Sequence, residues 1–335
     1  MDTHISRNKM SKHTSNLANP LSTGGIGHVF EIQVQTSLAL LMLSGGTVPC
    51  LPIRSIDKIK LQGRVDGFDT DDCIVFTSKQ DNSDPCKLLI QIKHKISFSE
   101  KNKVCKKVLA GAWNDFQNEQ LFVRNSDAIA IVTGPLSQVD VDSVRTLLER
   151  ARSSEDAADF FRQIKLAKFT SESMRNKLRV IRLHIDTANG SPVADEDTWI
   201  FLRHLHLLGY DLDIESGVIQ ALCHSMIRFH TGDDAAGIWG RIMQKIMTTN
   251  ANAGTLIRSN FSPDLVALFE KPAVQQMPES LSKHIAPSVS EAEQIAPAHF
   301  SEELTVATIL GSWSDHIAGD KAILKRLAKA FDETD

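Results

Sequence analysis

The run Leu88-Leu89-Ile90-Gln91-Ile92-Lys93 (LLIQIK) reads as a β-strand: it is short, apolar and rich in isoleucine and leucine. Alternate residues of a strand point to opposite faces, so Gln91 and Lys93 share one face. Lysine is rarely buried without a partner, and an amide and an ammonium on one face of an apolar strand call for a polar neighbour. Upstream, Cys73–Thr77 is a second strand-like run, introduced by Thr70-Asp71-Asp72. The polar stretch Lys79–Cys86 (KQDNSDPC) between them predicts a hairpin. Pairing of the two strands brings Asp72 near Gln91 and Lys93. A carboxylate binds a hard divalent cation such as Mg²⁺. Glutamine adds a side-chain carbonyl, and lysine orients a water or stabilises a crowded phosphate. Metal-assisted phosphodiester hydrolysis uses this set. The same residues also fit a partly exposed edge strand.

Outward from this centre, Phe30, Val34, Leu38 and Leu41 recur at helical spacing and predict a helix from Gly27 to Ser44-Gly45-Gly46, with Glu31 and Gln35 four apart on a neighbouring face. Ile56–Gln62 alternates as a strand. A helix is expected over Ser99–Gln117, a strand over Ala128–Thr133, and helices over about 138–151 and 155–166. Helix, three strands, helix, strand, helix is an α/β order around a small mixed sheet. Beyond about residue 175 only Leu178–Ile185 reads as a strand. Glu196–Leu208, Glu215–His230, Ala235–Thr249 and Pro263–Glu270 read as helices, Lys271–Phe300 as a linker, and Asp320–Phe331 as a closing helix.

Composition sets bounds. With 335 residues, two domains are the natural prior. Hydrophobic residues are 42% and charged residues 23%, ordinary for a globular chain. No unbroken apolar run reaches membrane-spanning length, and the polar N-terminus lacks the apolar core of a secretory signal. The five cysteines form no C-x-x-C pair, which argues against a disulfide framework and a cysteine zinc site and fits a cytoplasmic setting. The net charge of −4 does not favour nucleic acid, but Lys79–Lys107 carries eight lysines against Asp81, Asp84 and Glu100. That local stripe suits phosphate, or a solvated helix face. Gly24-Gly25-x-Gly27 lacks the lysine of a Walker motif and is read as a helix entry. His204 and His206, two apart on a predicted helix, do not make a metal pair.

The ordered set Gly24–Glu31, Leu61-Gln62, Thr70-Asp71-Asp72 and Gln91-Ile92-Lys93-His94, spanning residues 23 to 135, resembles the PD-(D/E)xK (restriction-endonuclease-like) fold in its D…QxK form. More closely, it resembles the double-stranded DNA endonuclease domains of bacterial anti-phage effectors, in CBASS systems and at the N-terminus of STAND antiviral NTPases. The resemblance implies roles. Asp72 is the main metal-bridging acid, with Asp71 as its alternative, and Glu31 is an accessory ligand or a water-positioning group. Gln91 stands where many relatives carry glutamate, which leaves the number of metals open. Lys93 is the catalytic lysine. His94 and Lys95 contact phosphate, and Lys101, Lys103, Lys106 and Lys107 extend the basic surface.

The expected architecture is therefore an arm (1–22), a nuclease domain (23–170) with a restriction-endonuclease-like mixed sheet, a mainly helical accessory domain (171–270), and a linker leading to a further domain (271–335). The expected activity is Mg²⁺-dependent cleavage of double-stranded DNA, with Mn²⁺ as a substitute metal and low sequence specificity. The expected setting is a homo-oligomer or a longer STAND-type protein, away from membranes. A non-catalytic nucleic-acid- or protein-binding module on the same scaffold is the competing reading. Convergence of Glu31, Asp72 and Lys93 distinguishes the two.

Overall fold

The structure, a computed structural model, describes residues 25–79, 85–232 and 234–270. The expected N-terminal arm, most of the hairpin turn, the linker and the closing helix lie outside them. The apolar, helically spaced residues of Gly25–Ser44 form α1. It is long and apolar enough, by length and composition, to cross a membrane, contrary to the reading from unbroken runs. Here it is a core helix, with Phe30, Val34, Leu38 and Leu43 all buried.

Strands β1 (Ile56–Leu61), β2 (Cys73–Thr77), β3 (Lys87–Lys93) and β4 (Ala128–Thr133) appear where the alternation places them. The β2–β3 hairpin is antiparallel, with Cys73 opposite Ile90 and Ile74 opposite Leu89. β3 then runs parallel to β4, joined by α2 (Lys103–Gln117), a crossover that a parallel pair requires. Asn102 caps α2 by accepting from the Cys105 N–H.

The sheet has six strands, in the order β5-β4-β3-β2-β1-β6. Both edge strands, β5 (Leu205–Gly209) and β6 (Thr255–Ile257), come from the half of the chain expected to be a separate helical domain. Residues on the two sides of 170 therefore share one sheet, within the compact unit Met1–Lys271. The expected boundary at 170/171 does not divide the core.

Alternation along the strands sends residues to two cores. Ile59, Cys73, Val75, Ile90, Ile92 and Ala130 pack with α1, α8 (Val218–Thr231) and α9 (Ala235–Ala251). Ile74, Leu89, Ile129, Ile131 and Leu207 pack on the other face with α2 and the helices of residues 138–204. These are α3 (Gln138–Asp140), continuing through a π-turn at Val141–Arg145 into α4 (Thr146–Ser153), then α5 (Ala157–Lys165), α6 (Glu172–Asn189) and α7 (Asp195–His204). The result is a helix–sheet–helix sandwich of α/β class.

Two sequence readings are corrected. Leu178–Ile185, expected as a strand, lies inside α6. Its buried residues Met174, Leu178, Ile181 and Ile185 follow helical spacing, Ser171 caps its start by accepting from Met174 N–H, and Gly190 closes it at φ 75°. The expected helix Glu196–Leu208 stops at His204, because Leu205–Gly209 pairs parallel with β4. Pairing with an open strand edge overrides local helical propensity.

Candidate functional site

Asp72 stands at the start of β2, held by its turn. The buried carboxylate of Asp115, on α2, accepts the backbone N–H groups of Asp69 at 2.9 Å and Thr70 at 2.6 Å. Burial raises the Asp115 pKa, and those two N–H groups oppose the rise. Gly111 lets α2 come this close: a Cβ there would sit 3.2 Å from the Asp69 carbonyl oxygen. α2 thus clamps the turn that aims Asp72.

One oxygen of Asp72, Oδ2, collects three donors. Lys93 Nζ donates to it at 2.8 Å, Ile92 N–H at 2.6 Å, and Gln91 Nε2 makes a short bond to the same atom. Lys93 Nζ also donates to the Ile92 carbonyl oxygen at 2.8 Å. Asp72 and Gln91 are buried, and the Lys93 side chain is 31% exposed. The ammonium therefore reaches the sheet end while its partners lie inside, so the polar face of LLIQIK has its partner and is no exposed edge.

Glu31 joins from α1. Its Oε1 accepts from Gln62 Nε2 at 2.8 Å, Gln35 Nε2 at 3.2 Å and Asn250 Nδ2 at 3.4 Å. Gln35, one turn along α1 and fully buried, also donates to the Asp72 backbone oxygen at 3.0 Å, tying the two acidic residues together. Gln62 sits in the left-handed region at φ 52° and ψ 58°, uncommon for a residue with a Cβ, and its amide also donates to Asn250 Oδ1 at 3.0 Å. Asn250 comes from α9, in the helical half. No spacing pattern in the sequence marked it, because its relation to Glu31 exists only in three dimensions.

Burial, and then the neighbouring Asp72 charge, raise the pKa of Glu31. The folded state thus holds this proton to higher pH than the unfolded chain does. Its contribution to stability is present at low pH and is lost as pH rises from about 4.5 through the raised value. Glu31→Gln keeps an acceptor oxygen and removes the charge. It is expected to raise Tm by roughly 2 °C or more at pH 7–8 and to give little gain near pH 4, as read by thermal melts across pH. Equal gains at both pH values would contradict the assigned cause.

The other expected site residues divide. Asp71 is not drawn to Gln91 or Lys93; its carboxylate pairs with Arg64 at 3.7 Å. His94 does not present a free ring to phosphate. Its Nε2 bonds Asp213 Oδ2 at 2.6 Å and its ring stands edge-on to Phe30. Lys95, Lys101, Lys103, Lys106 and Lys107 are exposed and make no ion pair among the described residues. Beside His94 and Lys95, a pocket of about 420 Å³ opens at the ends of β3 and β4, lined also by Phe98, Asn102, Thr133 and Ser137. The mouth beyond the carboxyl ends of parallel strands is where open α/β sheets receive ligands.

No family model matches the chain, and no curated protein does. Two solved structures are similar to it. Both are of the Acinetobacter baumannii Cap4 SAVED/CARF-domain containing receptor, one with the cyclic trinucleotide 3'3'3'-cAAA. Each shows 10% identity and a TM-score of 0.39 over 73% of this chain. The chain spans about half of those receptors, 50% and 49%. A likeness of this degree identifies neither a family nor a ligand.

The donor chemistry fits a hard divalent cation. Asp72 and Glu31 supply carboxylates, and Ile92 supplies a backbone carbonyl already seated on a cation, the Lys93 ammonium. Among the described residues no three His, Cys, Asp or Glu come together. Mg²⁺ is commonly held by one or two carboxylates, with water and substrate phosphate completing its shell.

Proposed function

We propose that this chain is a divalent-metal-dependent endonuclease that hydrolyses phosphodiester bonds of double-stranded DNA with low sequence specificity, as an association-activated effector of anti-phage defence. The observation that supports the reading is the meeting of Lys93 with Asp72 at 2.8 Å, beside Gln91 and within one hydrogen-bonded network with Glu31. The choice of DNA and of a defence setting rests on the resemblance of the ordered motifs. Asp72, Glu31 and the Ile92 carbonyl would hold Mg²⁺ or Mn²⁺. The ion, when bound, acidifies water and polarises a phosphoryl oxygen. Lys93 places a positive charge beside the acids, where charge builds on the phosphate. Glu31 holds and orients water from the α1 side. Gln91, an amide where relatives carry a carboxylate, lowers the negative charge of the site and weakens its hold on a second metal. The exposed lysines at the start of α2 contact backbone phosphate without reading bases.

A second reading rests on the same atom. Asp72 Oδ2 already accepts three donors, so the scaffold also suits a module that binds nucleic acid without cutting it. Incubation of supercoiled plasmid and linear duplex with Mg²⁺, with Mn²⁺ and with EDTA separates the two. Metal-dependent loss of both substrates, abolished by EDTA, supports the enzyme. Duplex binding that weakens steeply with salt, with no cutting in either metal, supports the binding module.

A further inference from the structure

The carboxyl ends of β3 and β4 frame a cavity outside the cluster of Asp72, Gln91 and Lys93. At about 420 Å³ it is within the size range of small-molecule sites. Five stretches of chain enclose it: the end of β3 at His94, residues 95–98, the start of α2 at Asn102, the end of β4 at Thr133, and residues 135–140 leading into α3. Its floor is tight. Thr133 Oγ1 and Gly134 N–H donate to the His94 carbonyl oxygen at 3.2 and 3.1 Å, and a Cβ at Gly134 would lie 3.0 Å from that oxygen. Its rim carries an irregularity. Between α3 and α4 the Thr146 N–H donates to the Val141 carbonyl oxygen, five residues back. Leu147, Leu148 and Ala151 anchor α4 in the core, so the extra residue of this π-turn rotates α3, which carries Asp140, by about 100° from the position of a regular helix. Single π-turns inside helices are frequent at functional sites.

The lining points to one class of ligand. Ile96, Phe98 and Leu136 supply apolar walls. Asn102 uses its Oδ1 to cap α2, accepting from the Cys105 N–H at 2.8 Å, and its Nδ2 makes no hydrogen bond among the described residues. Asp140 accepts at Oδ2 from Ser137 Oγ at 2.8 Å, and its Oδ1 remains an acceptor. Lys95 and Asp140 balance in charge, and His94 is engaged by Asp213. A bare phosphate would meet the Asp140 charge. A purely apolar ligand would leave the amide and the carboxylate without water or partner. A flat heterocycle, with apolar faces and with donors and acceptors on its edge, satisfies both parts of the lining.

We propose that this cavity binds one unpaired nucleobase of the strand whose phosphate lies at Lys93. Lys93, His94 and Lys95 are consecutive, each about 3.3 Å further along the chain, so a nucleotide beside the one at Asp72 comes to the cavity mouth. The base edge donates an N–H to Asp140 and accepts from the Asn102 amide. Ile96, Phe98 and Leu136 cover its faces, and Lys95 stays with the backbone phosphate. The inference rests on the nuclease reading for the placement of the strand. It narrows the substrate to duplexes that carry an unpaired base, where drawing a base out of the stack costs least.

Fluorescence anisotropy of the full chain in EDTA reads base capture without cleavage. The probes are labelled duplexes of one length, either fully paired or carrying a single bulged guanine. The bulged duplex should bind roughly 10-fold more tightly, within the range that stacking one base contributes. Asp140→Ala removes the acceptor, and Asn102→Asp removes the donor while keeping a capping oxygen for α2. Each should bring the two duplexes to within about 2-fold of each other, and thermal melts confirm that the variants are folded. Lys95→Ala should weaken both duplexes alike. Equal binding of the two duplexes by the wild type overturns the cavity assignment and leaves the nuclease reading in place, whereas binding of neither overturns both. A preference for the bulge that survives in both folded variants also overturns the assignment. So does capture of free deoxyguanosine monophosphate with no preference between the duplexes, which would mark a ligand taken from solution.

Discussion

Lys93→Ala is expected to lower the rate of metal-dependent DNA cleavage by roughly 10²–10³-fold, the range seen when one group stabilising transition-state charge is removed. The fold should survive. Lys93 is one of three donors to Asp72 Oδ2, and the Gln91 amide and Ile92 N–H remain to satisfy that oxygen. Tm should therefore move by no more than about 2–4 °C, the shift that about 1 kcal/mol produces in a domain of this size. Asp72→Ala is the instructive contrast. It leaves the Gln91 amide and the Ile92 N–H without this acceptor, while Lys93 keeps the Ile92 carbonyl oxygen, and the Ile92 N–H alone, inside the sheet, costs about 1–3 kcal/mol when left unpaired. Asp72→Ala should lose substantial stability as well as activity, whereas Lys93→Ala should lose activity with only the small Tm shift given above. Single-turnover cleavage and thermal melts of the two variants read the difference. A Lys93→Ala protein that is folded and cuts at the wild-type rate would remove lysine from the chemistry and favour the binding module.

A fragment ending at residue 170 is expected not to fold cooperatively. It keeps the run of motifs that resembles a nuclease but loses both edge strands, so β4 and β1 are left with open edges in place of β5 and β6. It loses α8 and α9, leaving Phe30, Val34, Leu38 and Leu40 of α1 without much of their cover. It also loses Asn250, whose side chain bonds Glu31, Gln35 and Gln62. At 25 cal/mol per Å² of apolar surface, uncovering several large side chains costs several kcal/mol, comparable to the whole stability of a domain. The fragment should show a broad thermal transition and dye-binding apolar surface. A fragment ending at residue 270 should melt in one sharp step. A sharp, native-like transition for the shorter fragment would restore the two-domain reading.

The two fragments bear on how far the sequence can be read. Its local patterns placed the hairpin of Cys73–Thr77 and LLIQIK, the core stripe of α1 and the strand Ala128–Thr133, because each carries its own period and its own turn signals. They also placed Asp72, Gln91 and Lys93 at one point, since strand alternation and antiparallel pairing fix which side chains meet once two strands are adjacent. The patterns failed where two periods overlap or where a segment is too short to carry one. LRVIRLHI alternates like a strand, yet its buried set follows a helix. Leu205–Gly209 and Thr255–Ile257 are strands because a sheet edge is open beside them, a fact with no local trace.

The same division runs through the site. Residue type and spacing alone determined an acid, an amide and a lysine on neighbouring strands, and an acid with Gln35 one turn along a helix. Only the tertiary structure joined Asp72 rather than Asp71 to Gln91 and Lys93, because Asp115 sets the turn while Arg64 engages the other acid. Only it brought Asn250 to Glu31, across 219 positions of sequence, and turned His94 to Asp213. The reason is physical: periodicity records which face of its own element a residue occupies, whereas the partner on that face is chosen by packing between elements distant in the chain.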